Sequence, residues 1–138
     1  KGDFTMVSHS ESGLVVPTDG RALACSDFNG DGRPDFLVGI NNGELLAFTN
    51  RRTPATGVLR LQGKGGNPSV AGARVTLVSK DGTRVQEIYQ GGGYLSQSTP
   101  AIFLGSDGMS VKVVWPSGAS STHPVDPATP ETIISAPQ

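Results

Sequence analysis

The apolar residues of this chain fall in short runs, none longer than a strand and none repeating at the 3.6-residue spacing of a helix face. Nineteen glycines and ten prolines among 138 residues separate those runs. Turn-formers at that density leave no stretch in which a helix could organise a core, so the chain is expected to be all-β.

Before residue 51 the runs are "FTMVS", "GLVV", "ALACSDF", "DFLVGI" and "ELLAFTN". Asn41 to Gly43 links two of them as a tight hairpin, since asparagine and glycine tolerate positive φ. Four short antiparallel strands in about 50 residues make one propeller-type blade. Six further runs follow: "VLRLQG", "ARVTLVS", "TRVQEIY", "AIFLG", "SVKVVW" and "ETIIS". They suffice for a small β-sandwich or barrel-like domain, with Asp81 and Gly82 as a two-residue hairpin loop.

Charge divides the chain at the same place. Residues 1–50 carry three basic and seven acidic side chains, net -4, and residues 51–138 carry eight basic and five acidic, net +3. The stretch "RRTPATG" at this boundary reads as a linker. The expected organisation is a blade over 1–50, a linker over 51–56 and a second domain over 57–138.

No apolar segment approaches the roughly 18 residues of a membrane helix, and "KGDFTMVSHS" lacks the apolar core of a signal peptide, as a mature or excised segment would. Cys25 has no cysteine partner and is expected to be a small buried hydrophobe. Sparse aromatics and the absence of a basic cluster argue against nucleic acid. His9 and His123, without a second ligand at metal spacing, are expected at the surface, and Trp115 in a core or interdomain position. The "GGGYLSQSTP" loop at 91–100 is expected to turn around Tyr94 packed in the core. No nucleophile elbow, phosphate loop or zinc signature is present in the sequence.

One stretch carries chemistry. In "DFNGDGRPD", residues 27–35, Asp27, Asn29, Asp31, the Arg33 carbonyl and Asp35 form a D-x-N-x-D-G-x-x-D ladder. Calcium takes six to eight hard oxygen ligands, and alternate residues of a loop curled at glycine can aim several carboxylates at one centre. An EF-hand would need a glutamate at its twelfth position, where Val38 stands.

The segment "ALACSDFNGDGRPDFLVGINNGELLAFTN" resembles the FG-GAP, or VCBS-type, repeat, in which such a calcium loop joins two strands of a propeller blade. The resemblance implies Asp27, Asn29, Asp31, Arg33 through its main chain, and Asp35 as Ca2+ ligands. The remainder is similar to the ASPIC/UnbV domain on "AGARV", "GGGYLSQS" and "VWPSG" in that order, over about residues 57–137. That domain commonly follows FG-GAP repeats in the cartilage acidic protein-like family. A closed propeller has four to eight blades, so the resemblance implies a C-terminal fragment of a longer protein.

The expected function is a calcium-stabilised interaction or adhesion module, extracellular, secreted or in the cell envelope, that binds rather than catalyses. Its expected partner is a protein, the remaining propeller blades or an acidic polysaccharide. The alternatives are a carbohydrate-active enzyme fragment with structural calcium, and a propeller cap without activity of its own.

Overall fold

The computed structural model describes residues 4–53, 56–105 and 109–137. Pro54 and Ala55 of the expected linker lie outside the described residues. Among the described residues the elements are one helical turn, α1 (His9–Ser12), and ten strands: β1 (Gly20–Ser26), β2 (Asp35–Ile40), β3 (Leu46–Phe48), β4 (Val58–Gln62), β5 (Arg74–Ser79), β6 (Gly82–Glu87), β7 (Ala101–Phe103), β8 (Met109–Val114), β9 (Ser120–Val125) and β10 (Glu131–Ser135). The all-β expectation holds. Among the described residues no helix is long and apolar enough to cross a membrane.

The first sheet has the order β1-β2-β3, antiparallel throughout. Four strands were expected here and three form among the described residues. "FTMVS" lies outside any element and so does "GLVV", with Gly13 at φ +72 capping the helical turn between them. β2 and β3 pair as a hairpin, but their connection is residues 41–45 rather than the tight Asn41–Gly43 turn expected, with Asn42 at φ +53.

Two further sheets face each other as a sandwich. One has the order β10-β4-β7, with β10 and β4 parallel, and the other β6-β5-β8-β9. Strand alternation builds the core between them. Val75 and Leu77 of β5 and Val111 and Val113 of β8 are buried, while Arg74, Val78, Lys112 and Val114 face outward. Leu59, Ile102 and Ile134 meet them from the other sheet. Trp115 is 3% exposed and donates its indole N–H to Ser121 Oγ at 3.0 Å, so it is a core residue.

Three sequence expectations change. The hairpin loop is Lys80 and Asp81, one residue earlier than expected, because Ser79 pairs with Gly82. β9, "SSTHPV", was hidden by its polarity and its proline. It is the sheet's edge strand, the position at which a proline costs no ladder hydrogen bond. Its alternation also turns His123 to the core side beside Val111, with Nε2 buried and unpaired, rather than to the surface.

A clamp precedes β5. Asn67 accepts the Ala71 N–H at 3.1 Å and donates to the Ala71 carbonyl at 3.0 Å. It holds Val70, buried, at φ +52, a conformation a β-branched residue adopts only when its surroundings impose it.

Candidate metal loop

Residues 27–34 connect β1 to β2, and Ser26 pairs with Asp35 at the base of that hairpin. The short polar side chains bind the loop's own backbone, as aspartate and asparagine do in turns. Asp27 Oδ1 accepts the N–H groups of Gly30 at 2.8 Å and Asp31 at 3.0 Å, and its Oδ2 accepts that of Gly32 at 2.8 Å. Asn29 clasps Asp31 at both ends, accepting its N–H at 3.1 Å and donating Nδ2 to its Oδ2 at 3.0 Å. Asp31 in turn accepts the Arg33 N–H at 3.0 Å and the Arg33 guanidinium at 2.9 Å.

Burial works to raise the Asp31 carboxyl, but the hydrogen bonds from Asn29 and Arg33 and the guanidinium charge outweigh it and hold it below the usual carboxylate range. Arg33 therefore enters through its donors, and its Nε is buried without a partner.

Asp35 stands apart. It is fully buried, the one polar side chain among the buried residues described. Its Oδ2 accepts the Phe28 N–H at 3.3 Å and its Oδ1 the Asn50 N–H at 2.8 Å. One carboxylate thus ties the start of the loop to the chain leaving β3. Asp27, Asn29, Asp31 and Arg33 are brought into one hydrogen-bonded turn, with Asp35 at its base. Among the described residues no three carboxylate, imidazole or thiol side chains converge on one point.

The loop also leans on the sandwich. Thr56 Oγ1 donates to the Gly32 carbonyl at 3.3 Å, and a Cβ on Gly32, at φ +78, would sit 3.3 Å from the Gly57 nitrogen. A Cβ on Gly57 would in turn stand 2.7 Å from the Thr129 carbonyl oxygen. The two glycines let the backbones meet where side chains would keep them apart.

The 91–98 loop behaves otherwise than expected. Tyr94 is 74% exposed, not packed in the core. Gln97 closes the loop instead, accepting the Gly91 N–H at 2.9 Å and donating to Gln90 at 2.7 Å. Ser98 Oγ accepts the Cys25 N–H at 3.0 Å, and the Thr99 N–H donates to the Cys25 carbonyl at 2.9 Å, docking this loop on the edge of β1. Between them lies a groove of about 630 Å³, lined by Leu14 and Val16 before β1, by Leu23, Phe36 and Val38 of the sheet, and by Tyr94. Sequence reasoning missed the groove because its sides come from segments about 80 residues apart, with no local signature.

The basic residues of the second half have different surroundings. Arg60 pairs with Glu131 at 2.6 Å and Arg84 donates to the Phe103 carbonyl at 2.6 Å, while Arg74 and Lys112 stand on the outer face of the four-stranded sheet.

The three motifs singled out in the sequence now have structural roles. "AGARV" follows the Asn67 clamp into β5, "GGGYLSQS" forms the loop on β1, and "VWPSG" plugs the core and turns at Gly118, whose N–H donates to the Trp115 carbonyl at 2.8 Å. No curated protein matches this chain. Residues 63–137, a little over half of the 138, match the family described as ASPIC and UnbV, and the chain belongs to that family.

Proposed function

We propose that this chain is a calcium-stabilised extracellular interaction module whose blade-like first sheet binds another β-layer. The ASPIC/UnbV family is associated with extracellular and propeller-related proteins, which supports the setting. The observation that carries the reading is the covering of β1-β2-β3. Directly paired residues share a face, so Leu23, Val38 and Leu46 line one side and Ala22, Gly39, Leu37 and Ala47 the other. Both faces are apolar, yet no residue of this sheet belongs to the buried core. A strand apolar on both faces is suited to lie between two layers. The partner is then a further β-sheet, such as additional propeller blades, and the module binds rather than catalyses.

The loop's donor set fits a hard cation. A carboxylate oxygen offers two lone pairs, and Asp27 Oδ2 and both Asp35 oxygens each accept one N–H only. Asp31 is occupied by Arg33, whose unpaired buried Nε marks that arrangement as incompletely satisfied. In this reading Ca2+ takes the guanidinium's place on Asp31, with Asn29, Asp27, the Arg33 carbonyl and Asp35 completing the oxygen set.

Calorimetry with and without chelator tests the cation. Extracellular sites bind calcium at about 0.1–1 mM, and tenfold saturation adds roughly 1.4 kcal/mol, about 5 °C in Tm for a chain of this size. The shift is expected to vanish in Asp27→Ala. Identical melting curves remove calcium from the reading. Sedimentation at two salt concentrations tests the partner: self-association that resists salt supports apolar sheet contact. A strict monomer that ignores a complementary β-fragment and turns over a glycoside overturns it in favour of an enzyme.

A further inference from the structure

The sequence holds two Asn-Gly pairs, Asn29–Gly30 and Asn42–Gly43, and both stand in turns. Asn-Gly is the dipeptide most open to intramolecular attack of a backbone nitrogen on the side-chain amide, because glycine has no side chain to hinder it. The two turns hold their reacting atoms in opposite ways.

At Asn29 every participant is engaged. Its Oδ1 accepts from the Asp31 nitrogen, its Nδ2 donates to Asp31 Oδ2, and the Gly30 N–H donates to Asp27 Oδ1 at 2.8 Å. The attacking nitrogen would have to lose its proton beside a carboxylate, which opposes the developing negative charge.

At Asn42 the same atoms are loose. The residue is exposed, and its side chain makes no hydrogen bond among the described residues. The Gly43 N–H reaches the Ile40 carbonyl at 3.4 Å, beyond ordinary N–H···O range. The pair is also fixed in the sequence by the turn. A Cβ at Gly43 would lie 2.7 Å from Ile40 Cγ2, and Asn42 takes the positive φ that asparagine tolerates.

We propose that Asn42 is a site of spontaneous deamidation and isomerisation, in preference to Asn29. The Gly43 nitrogen loses its proton and bonds to Asn42 Cγ, ammonia leaves, and the resulting succinimide takes up water at either carbonyl to give aspartate or isoaspartate. The net change is gain of water and loss of ammonia, with no redox partner. The product takes residues 1–50 from net -4 to -5. In the isoaspartate form the main chain of the turn is one atom longer, beside a β3 held by only three register pairs.

The test is incubation of the folded protein at mildly alkaline pH, with peptide mapping by a fragmentation that distinguishes isoaspartate, alongside a free peptide of sequence VGINNGELL. Conversion at Asn42 is expected to approach that of the peptide. Asn29 should lag by roughly tenfold or more, the factor set by opening one charge-assisted hydrogen bond. The preference should disappear in urea, and Asn42→Gln should remove the faster phase. Conversion at Asn29 first, equal conversion at both, or an unconverted Asn42 after the peptide has reacted overturns the proposal.

Discussion

Val75 and Leu37 each occupy the central part of an inner strand, β5 in one sheet and β2 in another, yet Val75 is fully buried and Leu37 only half so. Their strands do not explain this, since "RVTLVS" and "DFLVGI" are similarly apolar. The β10-β4-β7 sheet covers Val75 with Leu59, Ile102 and Ile134. Leu37 lies on the face of its sheet away from Leu23 and Val38, which line the groove, and it has no place in that core. A β-sheet acquires a core from the layer placed against it. The first sheet is therefore held by other means: hydrogen-bonded pairing, one buried carboxylate and a docked loop.

The sharpest way to break that contrast is truncation on each side of it. Leu59→Ala removes a fully buried side chain and is expected to cost about 2–5 kcal/mol. Leu23→Ala removes one that is 55% exposed and should stay within about 0.5 kcal/mol. Denaturant unfolding followed by the fluorescence of Trp115, the sole tryptophan of the sequence, measures both. Equal costs would mean that the first sheet is already covered, by self-association or otherwise.

The next effect in size belongs to Asp35. Asp35→Ala leaves the Phe28 and Asn50 N–H groups without their acceptor in a partly buried place, at about 1–3 kcal/mol. Hydrogen exchange should show the loss in β1 to β3 while Val75 and Val113 keep their protection. A uniform loss across both regions would show that the carboxylate anchors the whole molecule, through Gly32 and Gly57, rather than its own sheet.

What the sequence disclosed follows the same division. The sandwich strands were legible because alternation such as Arg74-Val75-Thr76-Leu77 survives wherever one face is sealed. β9 was not, because an edge strand can carry Ser, His and Pro where its outer side needs no ladder partner. The Asp27–Asp35 turn was legible as a loop from residue type and spacing alone, since Asp27 and Asp31 each bind backbone within a few residues. The burial of Asp35 and the exposure of Tyr94 were not, because both depend on which distant segment arrives: Asn50 in one case, the edge of β1 in the other.

Cys25 offers a probe of that edge. Burial, and after it the charge of Asp35, raise its thiol above the ordinary range, so at neutral pH it should label more slowly than a free cysteine. Its backbone is held by Ser98 and Thr99. Ser98→Ala removes one of those hydrogen bonds, worth about 1 kcal/mol, and should raise the labelling rate roughly fivefold by easing local opening. An unchanged rate would mean that the loop rests on β1 without restraining it.

The smallest effect lies in acid. The Asp31 carboxyl is held low in the folded loop, so its contribution is fully present above the ordinary carboxylate range and is lost as pH falls through the lowered folded value. With chelator present, protection of the Arg33 N–H, which donates to Asp31 Oδ1, should therefore decline below about pH 4. Asp31→Asn isolates the effect, because the amide oxygen still accepts the N–H but carries no charge to lose. In that variant the Arg33 protection should depend less on pH, while amides of β5 and β8 stay constant in both proteins. A decline that persists unchanged in Asp31→Asn would remove Asp31 as the source of the acid sensitivity. One that spreads into the sandwich would show that protonating this turn is felt across the Gly32–Gly57 contact.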